Sequence, residues 1–137
     1  MKIIKLDLEP NPREVISKSP DDQIYVSVEI GNGQIGANNI KIKDKLLAKG
    51  NMSQATYIGK VSDLSGEVVV ESNVLDVNSF TNVCVITTTF RNQHNTVLFS
   101  KVDNGDAPEN GIASFRGKYL FKVLILFMVF FCPLVYT

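Results

Sequence analysis

Apolar and polar residues alternate along most of this chain. In Gln23-Ile24-Tyr25-Val26-Ser27-Val28-Glu29-Ile30, the set Ile24, Val26, Val28 and Ile30 is interleaved with Gln23, Tyr25, Ser27 and Glu29. A period of two puts one face of a strand in a core and the other in water. Ile40 and Ile42 alternate with Lys41 and Lys43 in the same way. Residues 56–61 and 67–71 predict short strands. Residues 82–90 and 96–102, rich in Val, Thr, Ile and Phe, predict longer ones. The polar run Arg91-Asn92-Gln93-His94-Asn95 between those two predicts a hairpin connection. Gly117 opens a further strand over residues 118–123.

Turn chemistry separates these runs. Ser19-Pro20-Asp21-Asp22, Gly31-Asn32-Gly33, Gly50-Asn51, Ser65-Gly66 and Asp103-Asn104-Gly105-Asp106-Ala107-Pro108 are all punctuators. One helix is expected, at Lys43-Asp44-Lys45-Leu46-Leu47-Ala48-Lys49, with good helix formers and Gly50 in the stop position. Seven or eight strands with turn signals every ten or so residues predict an antiparallel β-sandwich. The sandwich domain is expected over residues 1–125, with an apolar tail at 126–137.

That tail is the anomaly. From Val123 to Tyr136 there is no charged residue, and Arg116, Lys118 and Lys122 precede it. One reading is a C-terminal membrane anchor with a positive cytoplasmic flank. The run is shorter than the roughly 20 residues a spanning helix needs. Extended back to Tyr119 it gains length, with Lys122 left to snorkel. A second reading is a buried final strand with a hydrophobic overhang. In either case an uncharged, β-prone stretch of this length is an aggregation hazard in water.

The composition narrows the chemistry. At 137 residues the chain can bury a core of its own, and 45% apolar residues against 20% charged is ordinary for a globular domain. Fourteen cationic residues balance fourteen anionic ones, overall and within each half, so bulk attraction to nucleic acid is not expected. With two cysteines, Cys84 and Cys132, and one histidine, His94, the usual zinc sites lack ligands. Cys84 lies in the apolar run Val83-Cys84-Val85-Ile86, where a thiol is a small buried hydrophobe rather than a nucleophile partnered by His94. The start of the chain does not read as a signal peptide, and a reducing, cytoplasmic setting is expected.

Gly31-Asn32-Gly33-Gln34-Ile35-Gly36 matches the dinucleotide-binding glycine pattern. The strand before it alternates, a second strand follows, and no acidic residue lies about twenty positions on, so a glycine-rich hairpin loop is expected instead. The carboxylate pairs Asp21/Asp22 and Asp103/Asp106 sit in turn sequences, where such side chains bond their own backbone. Neither a catalytic set nor a metal or cofactor site is predicted.

The second half carries a more particular order of features. A strand ends in Thr89-Phe90 and a polar turn follows. Val97-Leu98-Phe99-Ser100 then leads to the Asp/Asn-rich run, and Gly117-Lys118-Tyr119 and Phe121-Lys122-Val123-Leu124-Ile125 come after it. Together with Glu67-Val68-Val69-Val70-Glu71-Ser72-Asn73-Val74-Leu75, this resembles the C-terminal carbohydrate-binding domain of the ATPase subunit of polysaccharide (O-antigen) ABC transporters, over residues 67–125. The chain departs from that pattern at His94-Asn95, where the family's turn has glycine, and after Ile125, where the family's proline and closing strand have no counterpart. A frame-shifted or truncated end near residue 126 is a third reading of the tail.

The resemblance implies an immunoglobulin-like sandwich, a non-catalytic role in recognising a polysaccharide for export, and a homodimer. Sugar hydroxyls are met by amides, and sugar rings by an aromatic face. Tyr25, on the wet face of its strand, and Asn92, Gln93 and Asn95 in the polar turn are the residues expected to bind carbohydrate on that chemistry. The alternative function is a small membrane-anchored structural or interaction protein with a β-sandwich head, held by the segment from Tyr119 to Tyr136.

Overall fold

Period-two alternation can be satisfied only by pairing strands and covering their apolar faces, and the chain does both. The computed structural model describes residues 1–124. Ten strands run in order: β1 (Ile3–Asp7), β2 (Arg13–Ser17), β3 (Gln23–Ile30), β4 (Ile35–Ile42), β5 (Lys45–Gly50), β6 (Thr56–Lys60), β7 (Val68–Leu75), β8 (Val83–Arg91), β9 (Val97–Asp106) and β10 (Ile112–Val123). A single 3-10 turn at Val61–Asp63 follows β6. One sheet has the order β1-β10-β7-β4-β5, with β2 also paired to β10; the other is β6-β3-β8-β9.

The two sheets form an all-β sandwich. Along β7 burial alternates strictly, with Val68, Val70, Ser72 and Val74 facing inward. They meet Ile24, Val26 and Val28 of β3 and Cys84, Ile86 and Phe90 of β8, all in one buried cluster. One end of that core is aromatic. Phe90 packs on Tyr119 and Phe121 with ring centroids 4.9 and 5.1 Å apart, and Phe99 closes the group 5.4 Å from Tyr119.

Two strands lay outside the alternation read from the sequence. β1 and β2 occupy successive stretches of the same side of β10, and both run parallel to it. Glu9-Pro10-Asn11-Pro12 separates them, since proline offers no N–H to a ladder. With β5, read from the sequence as a helix, they bring the strand count to ten.

Three expectations are corrected. The predicted helix at residues 43–49 is the β4–β5 hairpin: Lys43-Asp44 is the turn, with Lys43 at φ 54°, and Ile42 pairs with Lys45. Seven residues are too few to hold a helix alone, whereas pairing with β4 satisfies the backbone and sets Leu47 and Ala48 against the core. The run from Asp103 to Asp106 is not a turn. β9 continues through it, pairing Asp103 with Ile86 and Asp106 with Val83. Gly31–Gly36 is a tight turn, but no hairpin. Asn32 and Gly33 both have positive φ and Gln34 N bonds Gly31 O, yet β3 and β4 lie in different sheets, so the turn is a corner between layers.

Of the residues from Tyr119 onward that were read as an anchor, Tyr119–Val123 is the end of β10, and Tyr119 is fully buried. No helix among the described residues is long and apolar enough to cross a membrane. The tail at 126–137 lies outside the described residues.

Candidate functional site

The outer face of the four-stranded sheet places Tyr57, Tyr25 and Arg91 in one row. β3 pairs with β6 and β8 so that Tyr25 sits between Tyr57 on one side and Arg91 on the other. The two tyrosine rings lie 5.4 Å apart, tilted by 53°. Tyr57 is exposed and Tyr25 half-buried, so together they offer a partly open aromatic surface. The Arg91 guanidinium is steadied by its Nη1, which donates to Ser27 Oγ at 3.2 Å.

Beyond Arg91 the chain turns at residues 92–96 into β9. Asn92 Oδ1 accepts the backbone N–H groups of His94 and Thr96 at 2.9 and 3.1 Å, and Asn95 takes the left-handed conformation at φ 63°. Asparagine tolerates that conformation better than most residues. A shallow groove of about 190 Å³ results, lined by Tyr25, Ala55, Arg91, Asn92, Gln93 and Asn95.

All four residues expected from the sequence therefore border one groove, but they differ in what they have to offer. Both ends of the Gln93 amide are occupied: Oε1 accepts Gln23 N at 2.8 Å and Nε2 donates to Asp22 Oδ1 at 3.0 Å. Gln93 thus ties the turn to the start of β3. The Asn92 carbonyl holds the turn, and its Nδ2 makes no bond among the described residues. Neither does the Asn95 side chain. The Tyr25 hydroxyl donates to Gln23 Oε1 at 3.2 Å and can still accept. Arg91 and Tyr57 were missed. Tyr57 lay on a predicted strand and Arg91 in the predicted hairpin connection, but only the register brings them beside Tyr25.

Asp22 anchors the arrangement from below. It is buried, and Ser17 Oγ donates to its Oδ2 at 2.6 Å. The Ser17 hydroxyl and then the Gln93 amide hold its carboxyl below the usual carboxylate range against the opposing effect of burial. A larger cleft of about 550 Å³ runs on the other side of the same turn, past Asp22, His94 and Leu98 to Leu124, the last described residue.

The other chemical candidates resolve into structure. Cys84 is fully buried, and burial pushes its thiol pKa up, so it is held in the unreactive protonated form. Cys84 is near the start of β8 and His94 lies beyond its end, about 20 Å of strand away. Asp103 is engaged by Arg13 through a two-pronged ion pair, Nη1 to Oδ2 at 2.9 Å and Nη2 to Oδ1 at 2.8 Å. No group of three or more His, Cys, Asp or Glu that could hold a metal occurs among the described residues. In comparisons with known proteins, no family model, no curated protein and no solved structure matches this chain.

Proposed function

We propose that this chain is a non-catalytic carbohydrate-binding module that recognises a polysaccharide for export, with the glycan held in the groove at Tyr25. The observation that carries the reading is the convergence of Tyr25, a guanidinium and two turn amides on one shallow, solvent-open groove, with the Tyr57 ring beside Tyr25 outside its lining. Tyr57 and Tyr25 offer ring faces to the apolar side of a sugar. Arg91, Asn92 Nδ2 and Asn95 offer hydrogen bonds to its hydroxyls. The groove is shallow and open, as suits the end or flank of a polymer. Pairing with an export ATPase and dimer formation follow from the resemblance alone, and they belong to the same proposal, as does the cytoplasmic location.

The rival reading, an anchored interaction protein, loses part of its ground. The first residues of the expected anchor are built into β10, and Tyr119 is in the aromatic core.

Binding of the full-length chain to a panel of bacterial polysaccharides with different terminal groups tests the proposal. Saturable binding to one structure is expected. Tyr25→Ala and Arg91→Ala should each weaken it about tenfold, the scale of one aromatic contact or one charged hydrogen bond. A folded chain that binds none of the panel, or variants that bind as well as the parent, would remove the basis for the reading. Retention in the membrane pellet after alkaline carbonate extraction would favour the rival.

A further inference from the structure

β5 ends one sheet and β6 ends the other, and residues of both line one hollow, so the two edges meet along an open side of the sandwich. Each of these edge strands carries a bulge. In β5 the register steps from Ala48 to Leu46 as β4 passes from Ile40 to Lys41, which leaves Leu47 over. In β6 it steps from Gly59 to Tyr57 as β3 passes from Ile24 to Tyr25, which leaves Ile58 over. Gly59 supplies the bend at φ 134°, a conformation that other residues rarely take. Without that bulge Ile58, not Tyr57, would stand opposite Tyr25.

Both bulged residues line the same hollow, of about 350 Å³. That lies within the roughly 300–1,000 Å³ usual for a small-molecule site. Its polar groups are within reach of solvent. Lys45, Tyr57 and Asp63 are exposed, and Leu47 is half-buried. The ion pairs among the described residues join other partners, so neither Lys45 nor Asp63 is neutralised by one. Asp63 Oδ2 accepts Lys60 N at 3.4 Å, which leaves Oδ1 to accept. Bulges also deter pairing at sheet edges, but that role calls for no ring, cation and anion at one hollow.

The hollow adjoins the groove at Tyr25 through one residue. Tyr57 lines the hollow, and its ring lies 5.4 Å from that of Tyr25, which lines the groove. From Arg91 through Tyr25 to Tyr57 the row crosses three neighbouring strands, a span of roughly 10 Å. We propose that the hollow is a second subsite for the same polysaccharide, taking an uncharged sugar unit further along the chain from the one at Tyr25. The inference rests on the carbohydrate reading of the groove and extends it from one unit to a stretch of chain. An uncharged unit suits Lys45 and Asp63 together, since its hydroxyls accept from the ammonium and donate to the carboxylate. A charged unit would meet a like charge at one of the two. The carbon face of the sugar lies against Tyr57 and Leu47.

Titration calorimetry of the full-length chain tests this. The probes are the size fractions, from monosaccharide to hexasaccharide, of partial acid hydrolysates of the panel polysaccharides. The hexasaccharide of one of them is expected to bind about tenfold more tightly than its monosaccharide, the scale of one aromatic contact or one charged hydrogen bond. Lys45→Ala combined with Asp63→Ala should remove that gain, whereas Arg91→Ala should weaken every fraction that binds. Lys45 and Asp63 are both exposed, so the double variant keeps its fold. A hexasaccharide that binds no more tightly than the monosaccharide, or that the double variant binds as well as the parent, would overturn the second subsite and leave the groove standing. A folded chain that binds no fraction would overturn both.

Discussion

Arg13 is the residue with the most demanding surroundings. Its side chain is 5% exposed and its ion-pair partner Asp103 is 10% exposed. Its Nε also bonds Glu9 Oε1 at 3.1 Å, and Nη1 reaches the Tyr119 hydroxyl at 3.2 Å. This joins β2 at the side of one sheet to β9 at the side of the other. Removing Arg13 leaves the Asp103 charge largely buried and without its partner. Arg13→Met should therefore cost about 3–5 kcal/mol in urea unfolding, and Asp103→Leu added to it should recover a large part. A double variant no better than the single one would show that the pair is not the source of the loss. Gly117 shows a different kind of demand. A Cβ there would lie 3.0 Å from the Tyr119 ring, because that ring folds back across the glycine on the inner face of β10. Gly117→Ala should cost about 1–3 kcal/mol by overpacking, measured the same way, whereas an unchanged midpoint would mean that the ring shifts freely. Gly117-x-Tyr119 was visible in the sequence as a motif, and its role is packing. Arg13 was not legible at all, because its partner lies ninety residues away.

At the scale of elements, strands with strict alternation were legible and those whose pairing is remote were not. β3 carries its own alternation, and β7 and β8 carry β-branched runs. β1 and β2 depend on β10, at the far end of the sequence, and β5 reads as a helix until β4 is beside it. The β8–β9 hairpin was legible from its polar turn, but the Asp22 tether beneath it was not. That tether has a pH signature. The Asp22 carboxyl is depressed from an ordinary value of 3.8, by the Ser17 hydroxyl first and the Gln93 amide after it. Its contribution to stability is fully present above about pH 4, where the unfolded carboxyl is ionised. It is lost as pH falls through the lower folded value. Stability measured from pH 6 down to pH 2 should fall less steeply in Asp22→Asn than in the parent. Hydrogen-exchange protection at residues 92–96 of the parent, taken relative to the intrinsic rate at each pH, should fall over the same acid range. Parallel acid profiles for the two proteins would dismiss the tether.

The whole molecule shows why a site can be half-legible. Tyr25, Asn92, Gln93 and Asn95 were chosen for their chemistry, and the fold gathers them because β3 lies against β8 and the turn follows directly from β8. Tyr57 and Arg91 needed the register of three strands before their place could be known. The same register turns Gln93 from a ligand-facing amide into a brace. At this scale the open aromatic and amide groove on one sheet is separate from the closed aromatic core between the two. The measurement that tests the central claim most directly is an NMR titration of the full-length chain with an oligosaccharide from whichever polysaccharide it binds. The account predicts that the perturbed signals cluster at Tyr25, Tyr57, Arg91, Asn92 and Asn95, with Gln93 responding least of the turn residues. Perturbations elsewhere on the sandwich with these residues silent would contradict it.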